Sequence, residues 1–199
     1  MASYRAVNGV LMALRNFFTA RMPTELSDPP INARVELLGS SDISDPISGN
    51  ALGIYVHRIA VDPHGRSRFF PAQGTDKESA PAAELPINLH FLLIASANSA
   101  TIETNLMAWA MIALANESQM DISHLAENDS EWTQRETLTI TPEDMSTEDL
   151  MRIWDVFQTP YTSSVPYVVR TIRMRLNPQE SKGPAVITRV YPTGAAERV

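Results

Sequence analysis

Two histidines, His57 in LGIYVHRIAV (residues 52–61) and His90 in INLHFLLI (residues 87–94), interrupt otherwise apolar, β-like runs and are the side chains best placed to do chemistry. If the two segments pair as strands, the imidazoles stand near one another, the minimum geometry for a metal pair or an acid/base couple. A third group of suitable type has no evident place. His64 follows the first run in a turn, and His124 lies in an acidic loop. Imidazole is a common half-buried strand residue, so a structural or solvent-facing role for both histidines outweighs the chemical one.

Other chemistries leave less trace. The chain has no cysteine, which excludes disulfides, thiolate nucleophiles and Cys-type zinc sites and fits a reducing compartment. Neither the dinucleotide fingerprint nor a Walker-type loop is present, and HExxH, GxSxG and EF-hand spacings are missing as well. The acids between Glu117 and Asp149 read as a solvated face and helix caps. No cofactor, no metal and no enzymatic activity are expected.

A formal net charge of −7 over 199 residues argues against a generic nucleic-acid binder, whose affinity rests on clustered Lys and Arg. A local basic stripe is nevertheless present in VVRTIRMRL. Strict alternation sends Arg173 and Arg175 to one face of that strand and Arg170 to the other, so the strand is not buried on both sides. In an acidic chain such a stripe suggests a surface where subunits or partners meet, against the ordinary alternative of solvent-facing sheet arginines.

The elements that must carry these residues follow from periodicity. Residues 1–22 hold three arginines and no acid, a pattern shared with transit peptides. Tyr4, Val7, Leu11, Leu14 and Phe18 nevertheless follow the spacing of one helix face, with Ser3 available as cap, which predicts a docked amphipathic helix. No stretch reaches the roughly 18 apolar residues of a membrane-spanning helix, so the chain is expected to be soluble, with no membrane partner.

Strands are predicted at 32–38, 52–61, 87–97, 135–140 and 163–176, with a further short candidate at 186–190. Helices are predicted at 101–118, apolar almost all round and so buried on more than one side, and after Ser146, which caps a helix whose apolar face is Leu150, Ile153, Trp154 and Phe157. Residues 62–86 read as one long loop. Its RSRFF stretch, with Arg66, Arg68, Phe69 and Phe70, reads equally as an arm that reaches a partner or as a floppy hairpin tip. The expected fold is α+β, a mixed or mostly antiparallel sheet packed by helices. One domain is expected over 1–176, with 177–199 as a C-terminal extension.

Taken in order, LGIYVHRIAVDPHGRSR, ELPINLHFLLIASA, MIALAN, LTITPEDMSTEDLMRIWDVFQTPYTSSVPYVVRTIRM and PAVITRVYP resemble the tail-terminator (cap) proteins of extracellular contractile injection systems, which are phage-tail-like particles. The most specific words are Leu89-His90-Phe91-Leu92, Ile153-Trp154, Thr159-Pro160-Tyr161 and Ser164-Val165-Pro166-Tyr167. The resemblance implies a terminator-like α+β fold and a structural subunit that forms a six-fold ring. Such a ring ends polymerisation of the inner tube and contractile sheath, with self, tube and sheath as partners. It also implies assembly in the bacterial cytoplasm and residence in a released or cytoplasmic particle. The candidate interface residues are Arg66, Arg68, Phe69, Phe70, Trp109, Arg170, Arg173 and Arg175. A monomeric assembly adaptor and a small histidine-dependent hydrolase are the competing functions.

Overall fold

In the computed structural model, which describes residues 3–42, 47–62, 84–120, 132, 137–157 and 160–175, the chain runs α1 (Ala6–Arg21), α2 (Thr24–Ser27), β1 (Arg34–Leu38), β2 (Ala51–Val61), β3 (Glu84–Ser96), α3 (Ala100–Asn116), β4 (Gln119–Met120), β5 (Leu138–Pro142), α4 (Thr147–Phe157) and β6 (Ser164–Arg175). The six strands form one sheet in the order β1-β2-β3-β6-β5-β4. Only β1 and β2 pair in parallel; every other pair is antiparallel. This is the α+β, mostly antiparallel sheet expected from the sequence.

β3 organises the sheet because its two faces are both apolar over half its length. Leu89, Phe91 and Leu93 point into the larger core, while Leu92 and Ile94 point to the opposite side, as period-two alternation requires. The larger core is closed by α1 and α3. Val10, Ala13, Leu14, Phe17 and Phe18 recur on one face of α1, and Leu106, Met107, Ala110 and Leu114 on one face of α3. Phe18 meets Trp109 edge-on with ring centroids 5.8 Å apart, and Phe91 stacks on Tyr167 at the same separation. On the other side α4 lays Leu150, Ile153, Trp154 and Phe157 over Tyr55, Leu92 and Ile94. The buried indole of Trp154 donates to Ser164 Oγ at 3.1 Å.

Several details differ from the pattern-based expectation. Tyr4 is 81% exposed and precedes α1, because the buried stripe of this helix is centred on Val10, Ala13 and Phe17. Ser3 Oγ accepts the amide of Arg5 rather than one inside the helix. α3 starts one residue before Thr101, and its Met111 and Ile112 face solvent, 41% and 60% exposed. Its second apolar side therefore has no cover within the described chain. β3 begins at Glu84, so the expected 62–86 loop is shorter at its C-terminal end; residues 63–83 lie outside the described residues. β4, read as part of a polar acidic stretch, adds a two-residue edge to β5. α4 starts as expected, with Ser146 Oγ accepting the Asp149 amide at 3.1 Å.

Two β-bulges reset the side-chain alternation on either side of β3. In β2 the register shifts between Val56 and Arg58, so His57 is the extra residue. In β6 it shifts opposite the Ile87–Leu89 step, where Val169 pairs with Leu89 and Ile172 with Ile87. Thr171 takes the left-handed conformation there, with φ 62°, and its amide is bonded by Asn88 Oδ1 at 3.1 Å. A bulge inserts one residue and bends the strand, which moves every later side chain to the other face. The expected split of Arg170 from Arg173 is thereby overturned. Val169 and Ile172, three apart, both enter the core, and Arg170 and Arg173 both lie on the opposite face.

Phe91 is fully buried at the centre of the larger core. Phe91→Ala is expected to cost about 3–5 kcal/mol of stability by loss of transfer energy and creation of a cavity, read from urea denaturation. A change under 1 kcal/mol would show that β3 is not the centre of the core.

Candidate functional site

Beyond α4, the second face of the sheet turns polar. β2 brings His57 there at its bulge, β3 brings His90 two residues after Asn88, and Glu143 arrives directly after β5, its amide bonded to the Pro166 carbonyl at 3.0 Å. The three side chains are nearly enclosed, 8%, 13% and 17% exposed for His57, His90 and Glu143. The imidazole rings sit 6.0 Å apart. Pairing of the two strands therefore does bring the histidines together, as the sequence reading supposed.

Glu143 is the third group that reading did not find. Unlike the solvated acid expected at this position, it is nearly enclosed, and its Oε1 lies 2.8 Å from His90 Nδ1. An ionised carboxylate can only accept, so Nδ1 of His90 carries the proton. Oε2 lies 3.5 Å from His57 Nε2, beyond a good hydrogen bond. Both of those atoms are buried without a hydrogen-bond partner, as is Thr141 Oγ1. No signal in TPEDM marks Glu143 as buried, because its position depends on where β5 ends against β6.

The electrostatics follow from this enclosure. Burial lowers the pKa of His57 from its ordinary 6.5; Glu143 opposes that shift, and His90 and Arg58 add to it. Near neutral pH His57 is a neutral imidazole beside a carboxylate already held by its neighbour. The cluster brings together polar groups from β2, β3 and the lead-in to α4. Among the described residues no group of three His, Asp or Glu side chains has the geometry to hold a metal ion. An open groove beside β1, lined by Arg15, Arg34, Glu36 and Asp42 among others, contains none of the three.

The expected interface residues are scattered by comparison. Trp109 is half-buried and packs on Phe18. Arg170 is exposed and Arg173 half-buried on the face that carries the histidines. Arg175 ends β6, its side chain outside the described residues, as are Arg66, Arg68, Phe69 and Phe70 and the strand candidate at 186–190. Arg58, which unbroken alternation would put on the face opposite His57, joins it because of the β2 bulge. No helix among the described residues is long and apolar enough to cross a membrane.

An α+β sheet with helices on both faces is what the fold defines, and solved structures share it. The sheath/tube terminator of an extracellular contractile injection system, PVC, in its extended state, shares the fold with a TM-score of 0.58 and 19% identity over 97% of this chain and 65% of that chain. The tube-terminating cap of the anti-feeding prophage follows with a TM-score of 0.50 and 13% identity over 88% of this chain and 59% of that one. This chain thus spans less than two thirds of the length of either. No curated protein matches it. The family described as the Pvc16 N-terminal domain matches residues 9–188, and the chain belongs to that family.

His57 gives a testable pH dependence. Its folded-state pKa lies below the unfolded value of 6.5, so its contribution to stability is complete above that value and is lost as the pH falls beneath it towards the folded pKa. Urea midpoints measured between about pH 7.5 and pH 5.5 are expected to fall more steeply for the wild type than for His57→Gln. Parallel curves would show that His57 does not titrate as its burial requires.

Proposed function

We propose that this chain is a structural tail terminator, a non-enzymatic subunit that closes the end of the inner tube and contractile sheath of a contractile injection system. The observation that carries the reading is the fold shared with the PVC sheath/tube terminator along 97% of the chain. Membership of the Pvc16 N-terminal domain family over residues 9–188 supports it. The proposed assembly is a ring of six copies, formed in the bacterial cytoplasm and retained in the particle, with tube and sheath subunits as its partners.

A ring subunit has to leave apolar surface outside its own core. The outer side of α3 does so, with Met111 and Ile112 exposed, Ala108 and Ala115 on the same stripe, and no charge among them. Apolar patches of this kind mark protein contacts more often than idle surface. Trp109 borders the stripe. Arg66, Arg68, Phe69 and Phe70 are proposed as further contacts on the strength of their sequence alone. His90 fits the same role, since its Nδ1 bonds Glu143 Oε1 and ties the lead-in to α4 to the sheet.

Light scattering on the purified protein tests the ring. A native mass six times the 22.0 kDa of the chain is expected, either free or after addition of tube ends, and a monomer under both conditions overturns it. Ile112→Asp is expected to shift the mass to that of one chain with an unchanged melt, because an exposed substitution costs folding little, within about 0.5 kcal/mol, whereas a buried charge at a contact costs it heavily. His90→Gln is expected to leave assembly and tail termination intact; a folded, assembled variant without function would restore a chemical role to the cluster.

A further inference from the structure

We propose that the outer edge of β1 is a strand-docking site, and that its occupant is the segment 186–190 of a second copy of this chain. Neighbouring copies are thereby joined tail to edge. Such an exchange requires that copies associate, and to that extent rests on the ring proposed above.

Register fixes which backbone groups of β1 point outwards. The Arg34 amide donates to the Asn50 carbonyl at 3.1 Å, and β1 pairs in parallel with β2 from Arg34 opposite Ala51 to Leu38 opposite Tyr55. Alternate residues of a parallel ladder turn both polar groups to the same neighbour. Arg34, Glu36 and Leu38 therefore serve β2, while Val35 and Leu37 aim N–H and C=O away from it. Among the described residues β1 ends the sheet, and those outward groups have no hydrogen bond. Past Leu38 the chain turns off, with the Gly39 amide taken by Asp42 Oδ2 at 2.7 Å. The groove beside β1 has Val35 and Leu37 in its wall, with Arg15 of α1 and Ile47 also lining it.

The two edges of the sheet differ. β4, with two residues, is too short to template another strand. β1 has five residues, no proline and no bulge, and its Arg34 and Glu36 neutralise each other. Brevity, proline, bulges and unpaired charge are what ordinarily keep an edge from pairing.

A segment suited to this edge is present in the chain itself. Val186, Ile187, Thr188 and Val190 are β-branched, and Pro184 and Pro192 bound the run without entering it. Strand addition draws its affinity from main-chain hydrogen bonds and favours such side chains. Residues 176–199 lie outside the described residues, and reach decides which copy supplies the strand. Through Gly53 and Ile94, the middle of β1 lies level with Ser164 at the start of β6, whereas Arg175 ends β6 opposite Glu84. From Ile94 to Glu84 is about 33 Å along the sheet, and the docked strand is four spacings from β6, about 19 Å, giving a separation of about 38 Å. The stretch from Arg175 to Val186 spans at most about 40 Å fully extended. No slack remains for a chain's own tail to pass round α1 and α3 on one face or α4 on the other. The tail of another copy meets no such limit.

The chain has no cysteine, so introduced pairs report the contact. Full-length Glu36→Cys is mixed with full-length Thr188→Cys or Arg189→Cys, one partner carrying a size tag, and treated with a short bis-maleimide. A mixed two-chain product is expected on a denaturing gel, and little of it when Thr104→Cys on α3 replaces Glu36→Cys. Leu37→Pro, added to the edge partner, removes an N–H that the β1–β2 ladder does not use. It is expected to slow the mixed cross-link by about fivefold, the scale of one lost hydrogen bond, with an unchanged circular dichroism melt. Ile187→Pro in the tail partner is expected to slow it equally, independently of any effect of Leu37→Pro on folding. Absence of the mixed product, or an equal yield with Thr104→Cys, overturns the docking site. A product confined to single chains of the Glu36→Cys, Thr188→Cys double variant makes the chain's own tail the occupant and overturns the exchange. A native mass of six chains without the cross-link leaves the ring standing and overturns this contact alone.

Discussion

The burial of β3 on both faces is the constraint on which the rest of this structure depends. A strand whose odd residues are Ile87, Leu89, Phe91 and Leu93 and whose even residues include Leu92 and Ile94 has to be covered twice. Both flanks and both faces of β3 are consequently occupied: β2 and β6 pair along it, α1 and α3 close one side, and α4 closes part of the other. The helices are helices for local reasons, but where they sit follows from the apolar surface of this one strand.

The same strand sets the limit of that cover. Its even face turns from Leu92 to His90 and Asn88, and apolar packing stops there. His90 is satisfied by a carboxylate delivered from the end of β5, and Asn88 by the loose amide of a bulge. Buried polar groups have to be paired, since each unpaired one costs about 1–3 kcal/mol. The two bulges and Glu143 are consistent with that demand. It explains His90 without a catalytic role: the imidazole ties the entry of α4 to the middle of the sheet.

A protein built in this way has two unlike exteriors. Among the described residues, one side presents the uncharged, partly apolar outer stripe of α3, and the other carries the exposed Arg58 and Arg170 together with the acidic helix α4. Unlike surfaces on opposite sides of a sheet suit heterologous contacts, in which different patches meet around a closed ring or along a tail. The proposed terminator function calls for such contacts, to copies of itself and to the subunits it caps.

Much of this was legible in the sequence, for physical reasons. Period-two runs identified β2, β3 and β6, the three-and-four spacing identified α1 and α4, and Ser146 marked the start of α4 because capping is local chemistry. The convergence of His57 and His90 needed only the pairing of two recognisable strands. The sequence did not disclose Glu143 as their partner, the departure of Arg58 from the alternation, or the shared face of Arg170 and Arg173. A bulge has no reliable local signature, since it is decided when neighbouring strands settle into register against a common core, and one inserted residue then reverses every side chain that follows. Composition and periodicity determined which elements form and which faces they bury; only the tertiary pairing decided which polar residues meet on the face left over.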